Sequence, residues 1–194
     1  MTKELFSVFA GIFLVIGYVP YINAILRKKT MPSRATWIIW AFLDIITLAG
    51  MYAEHAVNHQ ILVASVGASI VSMLSFRYGV PGWTRTDKLC MGGAVAGVVL
   101  WKVFGNPTLG IVISLVIIFI GSIPTFESAW KDPSRENKTA WVILFISCVC
   151  ATIAIPQWTL ADASQPIVFF IIELIMIYIL FCHSPKALNT DSQG

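Results

Sequence analysis

Seven apolar segments, each of about the length that crosses a lipid bilayer, run through this 194-residue chain with only short polar stretches between them. With 57% hydrophobic and 12% charged residues, the chain has too little polar surface to coat a water-soluble globule of this size. We therefore predict an all-α integral membrane protein with seven transmembrane helices. The segments, numbered 1 to 7 along the chain, cover residues 5–26, 35–53, 60–76, 89–104, 108–128, 139–155 and 165–182.

A motif in segment 1 returns 104 residues later in segment 5. In both copies a glycine and a proline lie deep in the apolar segment, a basic loop follows, and a tryptophan opens the next segment. Carried outward, the same offset pairs segments 1, 2 and 3 with segments 5, 6 and 7, which leaves segment 4 unpaired. The motif residues are Gly17, Pro20, Arg27, Arg34 and Trp37 in the first copy and Gly121, Pro124, Lys131, Lys138 and Trp141 in the second.

Segment 4 is predicted to be a linker helix between two three-helix bundles. Two copies of a unit with three helices would insert with opposite orientations, and one extra helix between them makes the repeats parallel. Small residues suit segment 4 to close packing on another helix: Gly92, Gly93, Ala94, Ala96 and Gly97. We predict a first bundle at 1–78, a loop and linker helix at 79–107, a second bundle at 108–183 and a cytoplasmic tail at 184–194.

The basic residues predict the orientation of the chain in the membrane. Eleven of the thirteen lysines and arginines fall on one side of the predicted helices, and only Lys3 and Lys102 fall on the other. By the positive-inside rule, the amino terminus lies outside and the carboxyl terminus in the cytoplasm. This rule accounts for the net charge of +3, so no nucleic-acid partner is indicated. Short loops favour the bacterial inner (plasma) membrane, and the oligomeric state stays open.

The arrangement of triplet, inverting helix and triplet, with a proline in the first helix of each half, resembles the SWEET and PQ-loop (MtN3-like) transporter superfamily over residues 5–182, in its prokaryotic seven-helix form. The family's Pro-Gln pair is replaced by Pro20-Tyr21 and Pro124-Thr125. The resemblance implies 3+1+3 parallel triple-helix bundles, alternating access, and a solute site between the halves. Family sugar pockets use an asparagine on the third helix of each half, and segments 3 and 7 contain none.

Paired prolines suggest where such a transporter would bend. A proline inside a helix removes a backbone hydrogen bond and bends the helix, and the resemblance implies that these bends act as hinges. A static bend is the alternative. Asn23 and Glu127 lie at equivalent positions one turn past the prolines, either as an inner gate or as residues of the headgroup zone. The hinge candidates are Gly17, Pro20, Gly121 and Pro124.

Two acidic residues fall near the middle of apolar segments, Asp44 in segment 2 and Glu173 in segment 7. A charge at that depth costs about 2.5–3.5 kcal/mol on insertion scales, so both are functional candidates. No lysine or arginine shares their depth. Helical spacing adds neighbours on segments 2 and 3, although the serines also fit ordinary helix packing, and Ser69 is the repeat counterpart of Glu173. The predicted solute-binding residues are Asp44, Glu173, Trp40, Thr47, Ser65, Ser69 and Ser72.

These observations predict a transporter that moves a small polar solute by alternating access between two three-helix repeats. The acids favour an amino acid, an amine or a vitamin-like solute, and they offer a route to proton coupling. A sugar facilitator is an alternative substrate class. A non-transporting receptor, or a subunit of a larger complex, is the alternative function.

Neither an enzyme nor a metalloprotein is predicted, and no cofactor is expected. The segments hold no nucleophile with a base, no phosphate-binding glycine loop and no metal motif. His55 and His59 are four residues apart, but no third ligand is near, so we interpret them as part of a solvated loop. The four cysteines are predicted to be small buried residues: Cys90, Cys148, Cys150 and Cys182.

Overall fold

The computed structural model describes residues 2–133 and 136–182, which form seven α-helices and no β-strand. Four of these helices, α1, α2, α3 and α7, are long and apolar enough to cross a membrane, and α5 and α6 contain shorter apolar stretches. This content is compatible with the predicted integral membrane protein. The helices are α1 Thr2–Leu26, α2 Arg34–Ala53, α3 His59–Tyr78, α4 Arg85–Phe104, α5 Pro107–Lys131, α6 Lys138–Ile153 and α7 Leu160–Cys182.

Polar side chains set the starts of the helices. Ser33, Asn58 and Asn137 are the N-caps of α2, α3 and α6, and each accepts a hydrogen bond from a backbone N–H in the first turn. Helix α4 begins four residues earlier than predicted, because Thr84 and Asp87 form a capping box that draws the polar turn before segment 4 into the helix.

Helix α7 also begins earlier than predicted, at Leu160 instead of residue 165. Thr159 Oγ1 accepts a hydrogen bond from the Asp162 N–H at 3.1 Å, which starts the helix five residues before the apolar segment. Pro166 therefore lies inside α7 and not at its start. The prediction is wrong here because the polar stretch from Asp162 to Gln165 resembles a loop in hydropathy.

The helices pack as two groups with a single helix beside them. In the first helix group, α1–α3, helix α3 packs on both α1 and α2; in the second helix group, α5–α7, helix α7 packs on both α5 and α6. Between the groups, α1 packs on α6 and α2 packs on α5. Helix α4 packs mainly on α5, where Gly93 and Gly97 lie against Ile117 and Ile113, as the small residues of segment 4 predicted. Gly92 instead faces open space.

Two ends of this bundle are defined by the contacts between helix termini. At the Lys3 end, where α1, α3, α5 and α7 begin, Ser7 Oγ lies 2.9 Å from His59 Nδ1 and Lys3 Nζ donates to the Pro156 carbonyl at 3.2 Å. At the Arg34 end, where α2 and α6 begin, Arg34 reaches the last turn of α3. The positive-inside prediction places the Arg34 end in the cytoplasm.

At the Arg34 end, the start of α2 is fastened to the end of α3. The Arg34 N–H donates to the Val80 carbonyl at 3.1 Å and the Val80 N–H donates to the Pro32 carbonyl at 2.9 Å, which closes an isolated bridge between Ser33 and Val80. The Arg34 guanidinium also donates to the Phe76 carbonyl at 2.9 Å. The last of these bonds satisfies a carbonyl that the end of α3 leaves unpaired.

The largest apolar core lies between the two helix groups. Leu43 of α2, Ile61 of α3, and Ile111 and Leu115 of α5 are among its fully buried members. A second, smaller cluster at the Arg34 end contains only residues of α5, α6 and α7. The interface between the groups is therefore mainly apolar, and polar groups within it are exceptions that need an explanation.

Two minor sequence interpretations are wrong. His59 is the first residue of α3, half-buried and within hydrogen-bonding distance of Ser7, so it is not part of a solvated loop. Cys182 is exposed at the end of α7, whereas Cys90, Cys148 and Cys150 are buried as predicted.

Candidate functional site

The two predicted acids both lie in the middle of their helices. Asp44 of α2 is only 6% exposed. Glu173 of α7 is half-buried, and its Oε2 atom is shielded from solvent with no hydrogen-bond partner. A buried carboxylate oxygen without a donor is costly, so this atom favours protonation of the carboxyl or a hydrogen bond from a bound solute.

Tyr18 of α1 connects these two acids, because it lies close enough to both carboxyls to interact with them electrostatically. Its hydroxyl lies 3.4 Å from the Ala64 carbonyl of α3, and its ring lies directly against Gly67. Asp44, Glu173 and Tyr18 therefore share one region between the helix groups. We call these three residues the acid cluster.

The predicted polar face of α2 lies next to the acid cluster. Thr47, one turn from Asp44, is fully buried, and its Oγ1 atom has no hydrogen-bond partner. Trp40, one turn from Asp44 on the other side, is half-buried, and its Nε1 atom is 3.4 Å from the position that a Cβ at Gly121 would take. Thr47 thus adds a second unpaired polar atom at this depth, and Trp40 reaches the second helix group.

The serines of α3 use their hydroxyls mainly within their own helix. Ser65 Oγ donates to the Ile61 carbonyl at 2.8 Å and lies 3.2 Å from the Asp44 carbonyl, and Ser69 Oγ donates to the Ser65 carbonyl at 2.7 Å. The Ser72 carbonyl accepts from another serine hydroxyl at 2.6 Å. The packing interpretation of this stripe is therefore favoured for Ser65, which is buried between α2 and α3.

Cys148 of α6 takes the repeat position that Asp44 takes in α2. It is buried, it lies within electrostatic reach of Glu173, and its Sγ accepts a hydrogen bond from Gln60 Nε2 at 3.3 Å. One half of the site thus carries a carboxyl where the other carries a thiol. From its sequence context alone, Cys148 is predicted only to be a small buried residue.

The hinge glycines are points of close contact between the helix groups. A Cβ at Gly17 would lie 2.6 Å from the Leu144 side chain, and Gly121 lies against Trp40. Leu144 and Trp40 are themselves separated by the repeat offset. Helix α1 continues through Pro20 without interruption. The Pro124 side chain lies outside the described residues, although α5 continues through its backbone.

The predicted inner gate stays a prediction. Asn23 is exposed near the Arg34 end of α1, and the Glu127 side chain lies outside the described residues.

Buried amides are the residues that sequence reasoning missed. Gln60 of α3 and Gln165 of α7 are both fully buried, and Gln165 Nε2 donates to Gln60 Oε1 at 3.0 Å. A signal was present, because each glutamine is the first residue of its predicted apolar segment, and the two segments are repeat counterparts. Hydropathy alone treats such residues as boundary markers.

An apolar cleft lies apart from the acid cluster. It measures about 530 Å³, lies between α5 and α7, and is lined by apolar side chains such as Val116, Ile120 and Leu160, all of which are exposed. Such a groove faces lipid in a membrane-embedded chain. We therefore assign it no role in solute binding.

No protein-family model, no curated protein and no solved structure matches this chain.

Proposed function

We propose that this chain is a membrane transporter of a small polar solute, and that the solute binds at the acid cluster between the two helix groups. The observation that carries the proposal is the buried Glu173 Oε2 atom without a hydrogen-bond partner, in a region where Tyr18 is within electrostatic range of both Glu173 and Asp44. Ionisable groups at this depth in a membrane protein ordinarily serve ion or solute pathways. The SWEET and PQ-loop resemblance is part of this proposal.

A 3+1+3 repeat architecture is the second part of the proposal, and the helix packing supports it. Each helix of the first group has a counterpart in the second: α5 for α1, α6 for α2 and α7 for α3. Replacing each helix by its counterpart turns the packed pairs α1–α3 and α2–α3 into the packed pairs α5–α7 and α6–α7. The same replacement turns the pair α1–α6 into the pair α5–α2. The same replacement relates the Gly17–Leu144 contact to the Gly121–Trp40 contact. Two equivalent groups that meet at a polar site can alternate access by rocking about it.

Side-chain contacts at the Arg34 end support the same architecture. Arg34 at the start of α2 lies 5.4 Å from the Phe76 ring of α3, and Lys138 at the start of α6 lies 5.3 Å from the Phe181 ring of α7. Arg34 and Lys138 are repeat counterparts. A cation over an aromatic ring therefore joins the second helix to the third helix of each group.

The acid cluster favours a solute that carries hydrogen-bond donors and positive charge, such as an amine or an amino acid. Carboxyl oxygens only accept hydrogen bonds when they are ionised, and the sequence offers no basic residue at their depth. A cationic group would supply the missing donors and compensate the charge. In its absence a proton can take the same place, which gives a physical route to proton coupling.

Reconstitution into liposomes tests this function, with a panel of labelled amines, amino acids, vitamin-like solutes and sugars. Asp44→Asn and Glu173→Gln keep side-chain size and remove the ionisable group. We expect each to lower uptake of the transported solute about tenfold or more, because hydrogen bonds to charged groups contribute about 1.5–3 kcal/mol. We also expect at least one variant to lose stimulation by an imposed proton gradient. Glu4→Gln, an exposed acid of α1, is the matched control.

Two results would contradict the proposal. Uptake that is unchanged in both variants would remove the acid cluster from the solute pathway. Absence of flux for every solute, with the protein folded in the liposomes, would favour a receptor or a complex subunit.

A further inference from the structure

The two helix groups are hydrogen-bonded to each other at the Lys3 end. Thr108 Oγ1 at the start of α5 donates to Glu54 Oε1 at the end of α2, at 2.9 Å. Ser147 Oγ of α6 donates to the Ala10 carbonyl of α1 at 2.7 Å. Lys3 of α1 also bonds to the carbonyl of Pro156, as described above. Each of these bonds joins a residue of the first group to a residue of the second group or its connecting loop.

At the Arg34 end, the side-chain hydrogen bonds of Arg34 and Trp141 each stay within one group. Arg34 bonds to carbonyls of α3, and Trp141 Nε1 donates to Glu136 Oε2 at 2.9 Å within the second group. The apolar cluster at this end also belongs to the second group alone. Among these residues, the polar fastening between the groups is thus concentrated at the Lys3 end.

The centre of that fastening is a chain of buried amides. Asn58 Nδ2 donates to Gln165 Oε1 at 2.8 Å, Gln165 Nε2 donates to Gln60 Oε1 at 3.0 Å, and Gln60 Nε2 donates to Ser147 Oγ at 3.0 Å and to Cys148 Sγ at 3.3 Å. Both glutamines are fully buried. The chain crosses the interface between the helix groups three times: from Asn58 to Gln165, from Gln165 to Gln60, and from Gln60 to α6.

This chain lies between the Lys3-end surface and the acid cluster. On its outer side, Asn58 lines a small pocket of about 110 Å³ together with Ser7 and Asp162. On its inner side, Cys148 accepts from Gln60 and lies within electrostatic reach of Glu173. The hydrogen bonds of Gln60 and Gln165 thus link a residue of the pocket wall to a residue within electrostatic range of Glu173.

A polar seal of this kind suits reversible opening. Buried amides that are satisfied by one another hold a closed interface, and the same groups accept water or a polar solute when the interface separates. An apolar seal would gain nothing from a polar solute. An entering molecule with both donors and acceptors can exchange its hydrogen bonds with water for bonds to these amides, whereas a molecule without them would leave the amides unpaired.

We propose that Gln60 and Gln165 form the gate at the Lys3 end, closed in this structure, and that the gate selects solutes which carry both hydrogen-bond donors and acceptors. This inference rests on the proposed transport function.

Labelling of Cys148 tests the gate without any transport measurement. A chain with Cys90, Cys150 and Cys182 replaced by serine keeps Cys148 as the only thiol. A membrane-impermeant maleimide is applied separately to each side of sealed vesicles. We expect slow labelling from the Lys3 side, and we expect Gln165→Leu to raise that rate about tenfold, because the substitution removes two hydrogen bonds made only in the closed state. Ser164→Ala, at a half-buried neighbour whose side chain is not part of the amide chain, should leave the rate unchanged.

Gln60→Met provides a second opening variant from the α3 side, and retention of the wild-type elution volume in detergent checks folding of both. Unchanged labelling from the Lys3 side, or an equal rise from both sides, would overturn the gate. If neither variant folds, the Cys148-only chain itself decides, since rapid labelling of Cys148 from the Lys3 side means that the gate is not closed. Labelling that rises only from the Lys3 side, without solute flux, would support the gate and contradict the transport function. Solute uptake together with labelling that the variants leave unchanged would support transport and contradict the gate.

Discussion

Gly67 allows the acid cluster to form, because the Tyr18 ring occupies the space where any other residue would place its Cβ atom. In this position the Tyr18 ring lies against α3 and within electrostatic range of both carboxyls. An interior this close-packed has no room to take up an added methyl group. The absence of a side chain at Gly67 therefore leaves the space that the Tyr18 ring occupies.

Gly67→Ala is expected to destabilise the protein by about 1–3 kcal/mol, the usual cost of adding a methyl group to a filled interior. Gly92→Ala is the matched control, since nothing lies within 4 Å of the added Cβ atom there and the helix gains about 0.5–1 kcal/mol from alanine. Thermal unfolding in detergent measures both. Equal Tm values for the two variants would mean that Tyr18 does not pack on Gly67.

At this scale the sequence predicted part of the site. Asp44 and Thr47 follow from depth and helical spacing alone, since a polar residue in mid-membrane must face protein or water. Tyr18 could not be assigned from the sequence, because its role depends on contacts with α3 and with the carboxyls of two other helices. Gln60 and Gln165 needed the same tertiary information, since each amide is satisfied across the helix groups.

At the scale of helices, the positions of all seven were predictable from hydropathy, and the largest errors lie at polar first turns. Helices α4 and α7 start four and five residues before their apolar segments, since Thr84 and Thr159 cap polar turns that hydropathy excludes. Helix α1, in contrast, runs through Pro20 as predicted. Which helices touch could not be derived from hydropathy, because each segment is apolar on most of its faces.

Replacing both hinge prolines tests whether bending matters for transport. In the double variant Pro20→Ala and Pro124→Ala, α1 and α5 regain backbone hydrogen bonds, so we expect stability to be kept or raised by up to about 3 kcal/mol. We expect the initial uptake rate to fall several-fold, because straightened helices resist the rocking motion. Pro107→Ala at the first position of α5, where proline costs nothing, is the control. Unchanged uptake in the double variant would leave the prolines with a static role.

At the scale of the molecule, the two helix groups should recognise each other without a covalent link. The interface joins α1 to α6 and α2 to α5 and contains the apolar core, and the loop at Gly82 lies in open space between α3 and α4. We expect co-expressed fragments 1–82 and 83–194 to purify together through a tag on either one. Recovery of the tagged fragment alone would mean that the interface depends on the connection through α4.

The pairing of Ser33 with Val80 makes α2 and α3 a single stiff lever. A helix of 20 residues is about 30 Å long, so a tilt of about 10° around the amide-fastened end displaces the opposite end by about 5 Å. That displacement is comparable to the width of a small organic molecule. If the proposed gate is correct, a single pairing between two residues thus lets α2 and α3 move as one unit, so that the Arg34 end can widen by this distance while the amides at the Lys3 end stay bonded.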